Sequence, residues 1–147
     1  MQVGVVWMAS GIVSLSLNGN INVFNPTVPR PIKVIAGHQV AITAFHVDQA
    51  QGKLYSGSFD GVVSARSIET SENVKVASEN KKSVNGAAHG NKIVGLARIG
   101  DFLFSAGWDD SIKIADPVKN EYIGSVAVVG QPAQLSGNSA AGKIYFI

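Results

Sequence analysis

Apolar residues in this chain come in short runs, often at every second position, and glycine, asparagine, aspartate or proline separates one run from the next. Ile112 and Ile114 alternate with Ser111 and Lys113, which is the period of a half-buried strand. Residues 12–16 and 21–24 read as strands around Asn18-Gly19, residues 54–58 and 62–67 as strands around Asp60-Gly61, and residues 102–106 and 111–115 as strands around Asp109-Asp110. Asn-Gly and Asp-Gly suit tight hairpins because both residues accept a positive φ at low cost. Both residues of each pair are therefore expected to turn the chain, with Asp-Asp a poorer version. Residues 32–35 form a further strand after Pro26, Pro29 and Pro31, which belong in a loop or at an edge. Strands are also expected at 41–47, 74–78, 92–98 and 122–129. The start of the chain reads as an inner strand, and residues 133–135 and 143–147, with a turn at 138–142, complete the set. Long helix formers are sparse, so the expected class is all-β with almost no helix.

Three of these hairpins align without gaps: SLSLNGNINVFN from Ser14, SGSFDGVVSARS from Ser56 and SAGWDDSIKIAD from Ser105. Their starts lie 42 and 49 residues apart. A WD repeat runs roughly 40–45 residues and folds as one four-stranded propeller blade. The first interval fits, and the second carries an insertion, placed in the polar stretch 79–90. The chain therefore reads as one domain, 1–147, of WD40-type β-propeller blades at about 1–36, 37–86, 87–130 and 131–147. Propellers need roughly four to eight blades to close. About three and a half blades imply part of a longer chain, with assembly from several copies as the other possibility.

Composition changes this picture little. Of the 147 residues 46% are hydrophobic and 15% charged, a globular balance too apolar for disorder. There is no cysteine, hence no disulfide framework and no thiolate chemistry. The apolar N-terminus lacks a basic leader and is broken at Asn18-Gly19-Asn20, which argues against a signal peptide or a membrane span. A net charge of +2 gives no reason to expect nucleic acid, and Lys81-Lys82 is a solvated pair.

Polar residues recur at fixed places in the repeat. Gly37-His38 precedes one expected strand, and His38, Ser56 (or Ser58) and Asp60 match three members of the polar network of many WD blades. His89, Ser105 and Asp109 form the corresponding set in the next blade. The aspartate in the turn is expected to accept from the histidine ring and tie the loop to the hairpin, since buried polar groups must be paired. The tryptophan that completes such networks is absent; Phe24-Asn25, Arg66-Ser67 and Ala115-Asp116 stand in the places of Trp-Asp. Serine, histidine and aspartate also invite a catalytic reading. A set recurring once per blade is what a structural device does, and no G-x-S-x-G elbow occurs. His38, His46 and His89 have no zinc spacing, and Gly57–Gly61 is hairpin glycine and not a phosphate loop. No enzyme, metal, cofactor or small-molecule substrate is expected. Trp7 and Trp108 could anchor an interface; Trp108 is instead expected to pack between blades, since Leu17 and Phe59 hold the equivalent position.

Residues 2–73 carry something more specific. Gln2 and Gly4 lead into the hairpin 14–22, followed by Gly37-His38 and the SGSFDG hairpin 56–61. This resembles the WD-repeat actin-interacting protein family, the cofilin partners. After Val74 the layout continues, with residues 89–96 and 102–109 as its anchors. The resemblance implies a middle portion of a protein with two seven-bladed propellers, entering the second. It also implies actin filaments and cofilin as partners, a cytoplasmic location on the actin cytoskeleton, and promotion of cofilin-dependent filament disassembly. It assigns no actin-contacting residue here. A WD-repeat scaffold of another pathway is the alternative the residues themselves leave open.

Overall fold

The computed structural model describes residues 1–9, 11–70, 72–76 and 88–147. Their regular structure is entirely β, and no helix occurs among the described residues. Strands β1 (Gln2–Met8), β2 (Gly11–Ser16), β3 (Asn20–Phe24) and β4 (Pro31–Ala36) form the first sheet in that order. Strands β5 (Ile42–Asp48), β6 (Lys53–Ser58), β7 (Val63–Ser67) and β8 (Asn73–Lys75) form the second. Strands β9 (Ile93–Ile99), β10 (Phe102–Gly107), β11 (Ser111–Asp116) and β12 (Glu121–Ala127) form the third, and β13 (Leu135–Asn138) pairs with β14 (Lys143–Phe146). Each strand lies antiparallel beside its neighbour in sequence, so each sheet is a meander, the form of a propeller blade. The first strand of each sheet packs near the first strand of the next, which makes β1, β5, β9 and β13 the inner strands.

The core lies between sheets, where the inward faces of successive blades meet. Val13, Leu15, Ile21 and Val23 of the first sheet close on Ile42 and Leu54 of the second. Tyr55, Val63 and Ala65 meet Ile93, Leu96 and Leu103. Ala97, Ala106 and Ile112 pack on Leu135. Alternation along each strand supplies these faces, and full burial of one such aliphatic side chain contributes about 1.5–3 kcal/mol. Blades approach closely where a glycine faces a large neighbour, as Gly57 does Ile93 and Gly95 does Leu135.

Several boundaries differ from expectation: β12 ends at Ala127 and not at 129, and β13 is Leu135–Asn138 where 133–135 was expected. Residues 138–142 were expected to turn as a unit, but β13 runs through Asn138. Gly137 pairs with Ile144 in this strand, and a Cβ there would press on Ala97 and Ile99, at 3.1 and 3.0 Å, so the glycine permits close packing. In the second sheet the outer strand is Asn73–Lys75. Residues 77–78 of the expected strand, and 79–87 of the expected insertion, lie outside the described residues.

The hairpins also turn differently. Gly19 N–H donates to Ser16 O at 3.0 Å, and Gly61 N–H to Ser58 O at 3.2 Å. Leu17-Asn18 and Phe59-Asp60 are thus the central residues, and only the glycines have positive φ, +85° at Gly19 and +83° at Gly61. This is a turn followed by one left-handed residue, the three-residue hairpin loop, in place of a two-residue turn with two positive φ angles. Asp110 takes the left-handed position in the third copy, at φ +54°. The shift puts Leu17, Phe59 and Trp108 first in the turn. Trp108 is 39% exposed and Phe59 57%. Trp108, expected to pack between blades, instead stands at the turn tip with over a third of its surface exposed and Lys92 Nζ over its ring.

Candidate functional site

The polar residues of the third blade converge. His89 sits in the loop leading to β9, Ser105 is on β10 and Asp109 is the middle residue of the β10–β11 turn. His89 Nδ1 lies 2.8 Å from Asp109 Oδ1 and His89 Nε2 2.8 Å from Ser105 Oγ. The carboxylate also accepts from Ser111 Oγ at 2.8 Å and from Gly90 N–H at 2.9 Å. Gly107 leaves room for this meeting, since a Cβ there would strike the His89 ring and come within 2.9 Å of Asp109 Oδ1. The carboxylate fixes the imidazole with its proton on Nδ1, leaving Nε2 to accept from Ser105.

Burial holds the His89 pKa below its ordinary value, outweighing the hydrogen bond and charge of Asp109, which favour protonation. Burial works against the Asp109 carboxylate, but bonds from His89, Gly90 and Ser111 outweigh it and keep the pKa low. The pair is a neutral imidazole on a carboxylate, as hydrogen bonding to a charged form predicts.

The second blade repeats this only in part. His38 Nε2 lies 2.8 Å from Ser56 Oγ. Among the described residues no hydrogen bond joins His38 to Asp60, contrary to the expected pairing. Asp60 instead accepts from the hydroxyl of Ser58. The aligned position in the third blade is Gly107, which has no hydroxyl to compete, so Asp109 is free to meet its histidine. Burial lowers the His38 pKa, with Asp60 and Ser56 opposing that effect.

At the places of the missing tryptophans, which the repeat alignment assigned to Arg66 and Ala115, the structure adds contacts that the alignment did not reveal. Arg66 is buried at one of them, and its Nη2 donates to Gly37 O at 3.3 Å. At another, Ala115 stands across from Tyr122. The buried Tyr122 ring lies edge-on to His89, centroids 6.3 Å apart. A small residue where the repeat wants a large one was the available signal that a neighbouring strand supplies the bulk. Asp48 and Arg98 form an ion pair that links the second and third sheets, beside a shallow cleft lined also by His46, Gln51 and Ser139.

Ser105, His89 and Asp109 have the connectivity of a nucleophile, base and orienting acid. Ser105 is only 1% exposed, so no carbonyl carbon has a route to its hydroxyl. Among the described residues no three of His, Cys, Asp and Glu gather to hold a metal ion. What this arrangement can do is fasten a loop to a hairpin.

Actin-interacting protein 1 of Drosophila melanogaster is 33% identical over 122 residues, which is 82% of this chain and 19% of that protein. The protein of the same name in Caenorhabditis elegans is 34% identical over 77% of the chain and 17% of its own length. WD repeat-containing protein 1 of Gallus gallus is 32% identical over 86% of the chain and 20% of its own length. The chain thus spans about a fifth of the length of the curated relatives it matches. No protein-family model matches it. Among solved structures, the WD40 β-propeller domain of Doa1 superposes with a TM-score of 0.81 at 14% identity, covering 99% of this chain and 47% of that one. The WD40 repeats of RRP9 give 0.74 at 18% identity, over 91% and 41% of the two chains. Those structures show the fold: this chain matches part of a WD40 propeller. The sequence relatives are closer, and on their evidence the chain belongs to the actin-interacting protein 1 family of WD-repeat proteins.

Proposed function

We propose that this chain is part of a WD-repeat protein that binds actin filaments bearing cofilin and promotes their disassembly, in the cytoplasm and without catalysing a reaction. One observation carries the reading: a relative named actin-interacting protein 1 is 33% identical across 82% of the chain. The blades supply surface and not chemistry. In this reading His38, Ser56, Asp60, His89, Ser105 and Asp109 belong to the scaffold, fixing the loops that a partner meets. The chain's place at the entry to a second propeller is part of the same proposal.

Co-sedimentation tests it. The complete polypeptide carrying this chain is spun with bare filaments and with cofilin-decorated filaments. It is expected to pellet at least tenfold more tightly with the decorated ones. Equal, weak pelleting with both would replace this reading by that of a scaffold serving another pathway.

A further inference from the structure

The second and third blades hold matching polar residues in two arrangements, and the difference lies in one carboxylate. In the third blade Asp109 Oδ1 lies 2.8 Å from His89 Nδ1. In the second, His38 Nε2 meets Ser56 Oγ at 2.8 Å, as His89 Nε2 meets Ser105 Oγ, but Asp60 is held by the hydroxyl of Ser58. A Cβ at Gly107 would strike the His89 ring. Ser58, in the matching place, therefore keeps the His38 ring from the position that His89 takes. Asp60 lies exposed at the turn, so its side chain is the part free to move.

No group is stranded when it moves. Ser58 Oγ has one hydrogen and two acceptors, Asp60 Oδ1 and Val62 O, the second at 3.0 Å. Released by Asp60, the hydroxyl keeps Val62 O. The turn backbone stays in place, with Phe59 N–H on Ala41 O at 2.9 Å and Gly61 N–H on Ser58 O at 3.2 Å. A neutral imidazole offers one N–H and an imidazolium two. Protonation thus gives His38 a new donor and a positive charge together, and a charge-assisted hydrogen bond is roughly twice as strong as a neutral one.

We propose that Asp60 is a two-position carboxylate, bound to Ser58 while His38 is neutral and drawn onto the imidazolium when His38 takes up a proton. Acid then ties the loop 37–41 to the β6–β7 hairpin by a second bond, one that the third blade holds with its histidine neutral. Among the described residues, Asp60 is the one acid facing the His38 ring, and Arg66 on β7 and Lys75 on β8 face it with positive charge. Strand β6 brings Ser56 and Ser58. The β2–β3 turn, whose Gly19 O accepts from Gly37 and His38 N–H at 3.0 Å, brings no ionisable side chain. Burial foremost, with Arg66 and Lys75, outweighs Asp60 and Ser56, so the change falls below the ordinary histidine value of about 6.5. The device is built from this chain's own residues and does not rest on the partner being actin or cofilin.

The complete polypeptide carrying this chain is labelled with nitrogen-15 in its histidines and titrated by NMR from about pH 8 to about pH 5. His38→Gln and His89→Gln assign the two rings. His89 is expected to show an Nδ1 proton held by Asp109 throughout, and His38 to show one only in acid. Ser58→Ala frees Asp60 and should raise the proton affinity of His38 by about threefold or more, half a pH unit. Ser58→Thr keeps the hydroxyl and should leave the midpoint in place. With Asp60→Asn also present, Ser58→Ala should have no effect. Ser58 is uncharged, so simple attraction between Asp60 and the ring predicts no response to its loss. In case Ser58→Ala fails to fold, Asp60→Asn at its exposed position reads the same bond, and His38 should then lack the held proton in acid. An unmoved midpoint in Ser58→Ala would overturn the proposal, as would a held proton on His38 that survives Asp60→Asn or never forms in the unaltered protein.

Discussion

The Asp109 carboxylate accepts from His89, Ser111 and Gly90, so removing any partner strands the others. An orphaned buried partner costs about 1–3 kcal/mol. Asp109→Ala and His89→Ala should each lower the melting temperature, and the double variant should fall short of the sum by about 0.5–3 kcal/mol of coupling. Asp60→Ala and His38→Ala should add nearly independently, since no hydrogen bond joins that pair. Thermal melts of both cycles check this, and equal coupling in the two blades would count against the geometry. The three histidines all have lowered pKa values through burial. The unfolded chain therefore takes up protons first as pH falls below the ordinary histidine value of about 6.5. Stability should decline from pH 7.5 to 5.5, and His89→Gln should flatten that decline. Asp109, with its pKa lowered, adds a second loss only where carboxylates protonate. The sequence made the histidine, serine and aspartate of each set legible through their fixed repeat positions. It did not distinguish the two blades, because that difference rests on Ser58 against Gly107. It placed Arg66 where tryptophan would stand but showed neither its bond to Gly37 nor the Tyr122 ring against His89, because those contacts cross between strands and loops.

At the scale of the element, the hairpins carry the information. The left-handed residue after each turn is Gly19, Gly61 or Asp110. Asp110→Gly removes a side chain from a position that costs an L-residue about 1–2 kcal/mol, and should raise the melting temperature. Gly61→Ala should lower it by more than the conformational term, since its Cβ would also collide with the carbonyl of His89. Chemical denaturation of both variants measures the two signs. Strand number, order and most boundaries were legible from turn residues and, where a sheet buries one face, from alternation; the second sheet is buried on both faces. The turn geometry was not. Asn-Gly and Asp-Gly serve a two-residue and a three-residue loop alike, and hydrogen bonding to Ser16 and Ser58 decides between them. The partial exposure of Trp108 escaped for the same reason: a one-residue shift of the turn moves that position to the tip.

At the scale of the whole molecule, the outer face of the first sheet exposes Val5, Trp7, Ile32 and Val34, and the last hairpin exposes Tyr145 and Phe146. Apolar faces of this size recruit partners, and the free edge of β14 offers unpaired backbone groups. The 147-residue chain alone should sediment as a mixture of associated species, and a single monomeric boundary with a cooperative melt would refute this. The blade architecture and the family were both legible in the sequence, from the repeat spacing and from the residues between Gln2 and Asn73. Function is tested most directly by filament disassembly. Labelled actin filaments are watched under the microscope with cofilin alone, with the complete polypeptide carrying this chain alone, and with both. The account predicts that the polypeptide alone leaves filaments intact and that the two together sever and shorten them several-fold faster than cofilin does. Disassembly at the cofilin-only rate in the presence of both proteins would contradict it.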